Sequence, residues 1–267
     1  MSRVGYETIE LDIDAGVARL TLNRPNEANA IDARMAAELR DAAIAIRFDP
    51  AVRAVLLTAR GKLFCGGGDL QVFRNAGSGA GAALAGIAAD LHVALTTFAE
   101  MDAPVVAAVR GTAGGAGMSL VAGADIVIAG ERAKFTMGYT AVGLTPDGGS
   151  TFFLSRVVGL RRAMDLVLTN RVLDARTAEE WGLVTRVVPD ESVDGEASAL
   201  VATLAAGPTG ALGAAKRLVI EGAGAALAEA FNREAVGISA AASTPDGREG
   251  IAAFVEKRAP RFGADSG

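Results

Sequence analysis

The chain has 267 residues, with 26 Lys and Arg against 31 Asp and Glu, a formal charge of −5 and a pI near 5.1. That balance leaves no cation excess for a phosphate backbone and argues against a nucleic-acid partner. An apolar share of 51% with 21% charged residues predicts a globular chain with a large core, one domain or one domain with an appendage.

In chain order, Val17–Asn23 alternates as a strand, and Ile31–Phe48 carries Met35, Leu39, Ala42 and Ile46 on one helical stripe. Val52–Thr58 reads as the next strand. Residues 76–90 are low in complexity and read as a mobile entry to a helix over 82–101. Short β-branched runs follow at Val105–Val109, Ile126–Ala129 and Leu183–Val188, separated by helical stretches at 115–123, 150–156, 160–168 and 177–181. Strands alternating with helices imply an α/β fold. From Glu191 the character changes to Ala-rich helices over 191–206, 209–221, 223–241 and 246–257. The expected organisation is an α/β core over 1–190 and a helical C-terminal region over 191–267.

The first fourteen residues hold no apolar run of the signal-peptide kind, and the weakly polar stretch 104–120 is interrupted by Arg110 and glycines. No membrane partner is expected. A single cysteine allows no internal disulfide and suits a cytoplasmic location. One His and one Cys cannot supply a typical zinc set, so no metal is expected.

Two glycine clusters stand out: Phe64-Cys65-Gly66-Gly67-Gly68-Asp69-Leu70 and Gly111-Thr112-Ala113-Gly114-Gly115-Ala116-Gly117-Met118. The second has neither the spacing of a dinucleotide fingerprint nor the Gly-Lys-Ser/Thr of a P-loop. What remains is strand, turn and helix start, which leaves backbone N–H groups free at the positive end of a helix. Each cluster alone is better explained by tight helix–strand packing; together they could present two donors to one oxyanion. A third glycine pair follows Asp147 in Gly-Leu-Thr-Pro-Asp-Gly-Gly-Ser (143–150), where the acid could cap a helix or act chemically. His92, the one histidine, sits on the shoulder of the apolar stripe formed by Leu84, Ile87, Leu91, Leu95 and Phe98. It could be a hydrogen-bonded, partly buried residue, a general base or a substrate-orienting group.

With Arg24-Pro25, Asn29-Ala30-Ile31, APVVAAVRGTAGGAGMSL, ADIVIAGERAKF, AEEWGLVTRVVP and GIAAFVEKRAPRF in the same order, these motifs resemble the crotonase (enoyl-CoA hydratase/isomerase) superfamily over almost the whole chain. The resemblance implies a spiral of β-β-α turns, a helical trimerisation region forming a homotrimer or dimer of trimers, and an acyl-coenzyme A thioester as ligand. It implies no separate cofactor. It puts the oxyanion hole at the backbone N–H groups of Gly68 and Ala116, with Gly66, Gly67, Asp69, Gly115 and Ser119 as neighbouring substrate contacts. Arg24 and Lys62 would meet the coenzyme A phosphates, and Phe254 and Lys257 the adenine end from a neighbouring subunit.

The catalytic positions depart from the hydratase pattern. Its two glutamates align with Ser119 and Tyr139, and neither is a carboxylate. The acid returns at Asp147, as in ring-type enoyl-CoA isomerases and 4-chlorobenzoyl-CoA dehalogenases. His92, twelve residues before Pro104, matches the dehalogenase histidine, while Tyr139 replaces that branch's tryptophan and no second aromatic is expected next to Gly68 to cage a benzoyl ring. The expected activity is therefore an isomerase with Asp147 as acid/base. A hydratase, an aryl-CoA dehalogenase or thioesterase using Asp147 and His92, and a CoA-ester binder without chemistry are the alternatives.

Overall fold

The computed structural model describes residues 5–263. The chain opens with strands β1 (Ile9–Asp14) and β2 (Val17–Leu22), helix α1 (Ala33–Phe48) and β3 (Ala54–Ala59). Helices α2 (Leu70–Ala76) and α3 (Ala80–Glu100) lead to β4 (Val105–Val109), β5 (Thr112–Gly114) and α4 (Ala116–Ala122). Next come β6 (Ile126–Gly130), β7 (Lys134–Thr136), α5 (Ser150–Val158), α6 (Leu160–Thr169), β8 (Leu173–Asp174), α7 (Ala175–Glu180) and β9 (Arg186–Val188). Four helices finish the chain: α8 (Val193–Ala205), α9 (Thr209–Gly222), α10 (Leu227–Ala242) and α11 (Pro245–Glu256).

The larger sheet has the order β1-β2-β3-β4-β6-β9, parallel except for the β1–β2 hairpin. The smaller sheet, β5-β7-β8, runs alongside. Successive turns place one strand in each sheet and then a helix, as β4-β5-α4 and β6-β7-α5 do. This is the expected α/β spiral.

Strand β4 explains why it reads as an unbroken apolar run. All five residues are buried, with Val105, Ala107 and Val109 in the main core and Val106 and Ala108 in a second core under α8. Ala54, Leu56 and Ile128 share that second core with Val193, Ala197 and Val201. Helix α8 thus covers the back of the sheet, although it lies beyond residue 190.

Several elements differ from expectation. Strand β1 hides in a charged stretch because Glu10, Asp12 and Asp14 alternate with Ile9, Leu11 and Ile13, and only the apolar set turns to the core. Only the end of 183–188 is a strand, because the chain turns at Gly182, with φ of 83°, and Leu183 N–H bonds back to Ala178. The low-complexity segment is not an irregular entry: it is regular helix from Ala80, and Ile87 already packs in the core. By length and composition alone residues 70–100 could span a membrane, yet Ile87, Leu91, Leu95 and Phe98 of this stretch line the main core.

Two charged anchors tie remote segments to the core. Glu38, on α1, accepts hydrogen bonds from the N–H groups of Glu7 and Thr8 and from the Thr8 hydroxyl. Lys216, on α9, donates to the carbonyls of Phe98 and Ala103 and pairs with Asp125 at 3.0 Å. Burial alone works to raise the Glu38 pKa, but the Thr8 hydroxyl, the two amides and nearby Arg34 outweigh it, and the net shift is downward. A carboxyl that is more acidic when folded stabilises above its unfolded pKa, about 4.3, and loses that contribution as pH falls. Glu38→Gln is therefore expected to be less stable than the native chain at pH 7, with the gap closing below about pH 4. Urea titrations at both pH values measure this; a gap that is constant with pH would contradict it.

Candidate active site

The two glycine clusters meet through the register of the spiral. Cys65 and Ala113 form a parallel bridge, with Cys65 N–H donating to Thr112 O at 3.2 Å and Gly114 N–H to Cys65 O at 2.8 Å. Three residues further along each strand come Gly68 and Ala116. Gly68 is itself bridged to Ile31, and Ala116 opens α4. Among the described residues neither amide has a protein acceptor. Both line a cavity of about 140 Å³.

Contact this close requires glycine. Gly67 has φ of 108° and Gly115 has φ of 51°, and a Cβ on Gly115 would lie 3.4 Å from the Gly67 Cα. Beneath them Cys65 is fully buried, and a Cβ on Gly117 would fall 2.5 Å from the Cys65 carbonyl oxygen. Burial pushes the Cys65 thiol up to about 12, so it is a packed apolar group and not a nucleophile.

Asp147 and Tyr139 line the same cavity. The Tyr139 hydroxyl donates to Asp147 Oδ1 at 2.6 Å. Burial first, and then the charge of Asp147, push the Tyr139 pKa far up, which keeps the phenol protonated and a donor. Ser119, fully buried, lies 3.3 Å from that hydroxyl and donates to the Asp147 carbonyl at 3.1 Å. Asp147 Oδ2 has no protein partner among the described residues. Helix α5 starts after Gly149 with no side-chain cap, so the carboxylate is not committed to capping.

Other expected site residues stand elsewhere. Arg24 is not free for a phosphate: its guanidinium pairs with Asp32 and Asp69 and bonds to Ala30 O. Asp69 caps α2 through Gln71 N–H and holds Arg24, so it braces the first glycine loop from behind. Lys62 is exposed and pairs with no carboxylate among the described residues. Phe254 and Lys257 are exposed on and just beyond α11, away from the cavity of their own chain. His92 does not line that cavity; its Nε2 accepts the Gly148 N–H at 3.1 Å, and it lines a larger hollow that Asp147 also borders. The described residues contain no cluster of three His, Cys, Asp or Glu able to hold a metal.

One aromatic is nearer than the sequence suggests. Phe73 lines the cavity directly against Gly68, where a Cβ would meet its ring at 3.0 Å. The signal was local: Asp69 caps a helix, and side chains on its first turn lean back over the preceding loop.

The profile of the family described as enoyl-CoA hydratase/isomerase matches residues 12–265. The chain belongs to the enoyl-CoA hydratase/isomerase family. It is 38% identical to the 1,2-epoxyphenylacetyl-CoA isomerase of Escherichia coli (strain K12), covering 96% of this chain and 98% of that one. It is 32% identical to the 4-chlorobenzoyl coenzyme A dehalogenase-2 of Arthrobacter sp, covering 96% and 94%. The crystal structure of an enoyl-CoA hydratase from Mycobacterium smegmatis superposes with a TM-score of 0.90 at 33% identity, covering 96% and 99%. In this enoyl-CoA hydratase/isomerase family member, Gly115→Ala puts a side chain on a backbone that resists it and shifts the Ala116 amide. Turnover is expected to fall by about 10²–10³-fold, the cost of losing one oxyanion donor. Steady-state kinetics with an enoyl-CoA measures it, and native turnover in the variant would refute the role of that amide.

Proposed function

We propose that this family member is an enoyl-CoA isomerase that moves a double bond through a thioester enolate, with Asp147 as the acid/base. The observation that carries the reading is Asp147, which has one carboxylate oxygen without a protein partner among the described residues and lines the cavity that also holds the free amides of Gly68 and Ala116. A thioester oxygen held by those amides acidifies the C–H bonds next to its carbonyl. Asp147 takes the proton from the carbon beside the thioester, the electron pair passes into a dienolate, and the same carboxyl returns the proton two carbons further on. One group serves both ends because the dienolate is planar and Asp147 lies over one face. Tyr139 anchors Oδ1 and leaves Oδ2 for the substrate. No cofactor is needed beyond the coenzyme A of the substrate.

Water addition of the hydratase kind lacks its two carboxylates, because Ser119 and Tyr139 occupy those positions and bond to each other and to Asp147. One observation favours an aryl-CoA dehalogenase as the second reading: Phe73 and Tyr139 both border the cavity and could hold a ring. That chemistry also needs a base, and His92 does not line the cavity and has its Nε2 bonded to the Gly148 N–H.

Incubation with a 3-enoyl-CoA, crotonyl-CoA and 4-chlorobenzoyl-CoA separates these reactions. Conjugated-enoyl absorbance arising from the first supports the isomerase, whereas chloride release from the third overturns it. Asp147→Asn should lower kcat by about 10²–10⁴-fold with little change in KM. Tyr139→Phe, which keeps the ring but frees Oδ1, should lower kcat by about tenfold; an unchanged rate in either variant would remove that residue from the mechanism. We also read the exposed apolar residues of α10 and α11, among them Phe231, Ile238, Phe254 and Val255, as contacts of a homotrimer or dimer of trimers. Light scattering should then give three or six times the 27.0 kDa chain mass.

A further inference from the structure

Asp147 is held by a loop that does little to hold itself. The two residues after it are Gly148, with φ of 59°, and Gly149, with φ of 69°. Glycines in this region leave the peptide unit between Asp147 and Gly148 free to rotate at small cost. Any such rotation swings the Asp147 Cα–Cβ bond and moves the carboxylate. In the structure this one peptide unit is gripped at both ends. Its carbonyl accepts hydrogen bonds from Ser119 Oγ at 3.1 Å, from Ser150 N–H at 3.1 Å and from Ser150 Oγ at 2.8 Å. Its N–H donates to His92 Nε2 at 3.1 Å.

The histidine stands on firm ground. It projects from α3, whose Leu91, Ala94 and Leu95 are buried in the main core, and Asp90 is tied to Arg40 on α1. An acceptor at Nε2 requires a lone pair there, so the bonded form is neutral, with its proton on Nδ1. A nitrogen already accepting an amide hydrogen is not available to take a proton from a substrate. Nor does the ring line the cavity of the free amides; it lines a separate hollow of about 660 Å³, which Asp147 also borders, with Phe152, Phe153 and Ile220.

We infer that His92 is a positioning residue: by accepting the Gly148 N–H it fixes the Asp147–Gly148 peptide and so aims the Asp147 carboxylate at the substrate. The inference rests on the reading of Asp147 as the acid/base. Because His92 acts through an acceptor atom alone, the role transfers to any side chain with an acceptor at similar reach. Glutamine has one, in its amide oxygen, and leucine has none.

The test compares His92→Gln and His92→Leu by steady-state kinetics and by amide exchange of residues 144–152, followed by mass spectrometry. Leucine is expected to lower kcat by about 10- to 100-fold with KM within about twofold, because the carboxylate is misaimed and the cavity is untouched. Exchange in that segment should quicken by about tenfold while the core of α3 is unchanged. Glutamine should restore both readouts to within about threefold of the native chain. If glutamine is as impaired in kcat as leucine while keeping native exchange, the imidazole itself transfers protons and the inference is overturned. Native kcat and exchange in the leucine variant overturn it as well. If Asp147→Asn keeps native activity, the isomerase reading fails, but the exchange comparison still decides whether His92 holds the loop.

Discussion

The parallel bridge between Cys65 and Ala113 is the constraint on which the site depends. Neighbouring turns of the spiral are locked there rung to rung. Equal steps along each strand then bring two amides, those of Gly68 and Ala116, to the same level. Neither loop presents two free amides to the cavity alone. Their pairing is a property of register, and a slip of one residue between the turns would leave the two donors pointing past each other. The glycines follow from this: where the bridge brings the loops together, Gly67 and Gly115 both take positive φ, which side chains resist, and a Cβ on Gly67 would crowd the Gly114 carbonyl oxygen at 3.1 Å. Asp69 and Arg24 belong to the same device, since their ion pair holds the first loop from outside.

Asp147 is placed by different means. Ser119 and Tyr139 form a chain of polar atoms that ends on Asp147. On the proposed reading, these residues support a single carboxylate in place of the glutamate pair of a hydratase. That exchange is visible in three residue types, yet its logic appears only when their contacts are known.

Much of the fold could be read from the residues. The α/β alternation, the stripe on α1 and the wholly apolar β4 each announce an element by its periodicity. Strand β1 escaped because its solvent-facing half is acidic, and the short strands of the smaller sheet are too brief for any period to register. The two glycine clusters were legible as free amides, but their meeting depends on the pairing of strands far apart in sequence. Phe73 was missed for a similar reason: it is five residues from Gly68 in the chain, and a helix turn carries its ring back over that glycine. In the sequence Arg24 is a lone arginine near a glycine loop, and its two carboxylate partners appear only in the fold. The helix face of His92 is readable from its periodicity, but its partner is a backbone amide 56 residues away.

Cys65 adds a property of another kind. It is the chain's one thiol, enclosed between the two glycine loops and pressed by Gly117. Burial keeps it protonated, so an alkylating reagent meets no reactive sulfur while the loops are together. The chain thus carries a built-in reporter: how readily that sulfur is consumed reflects how readily the two glycine loops come apart, without any label having been introduced.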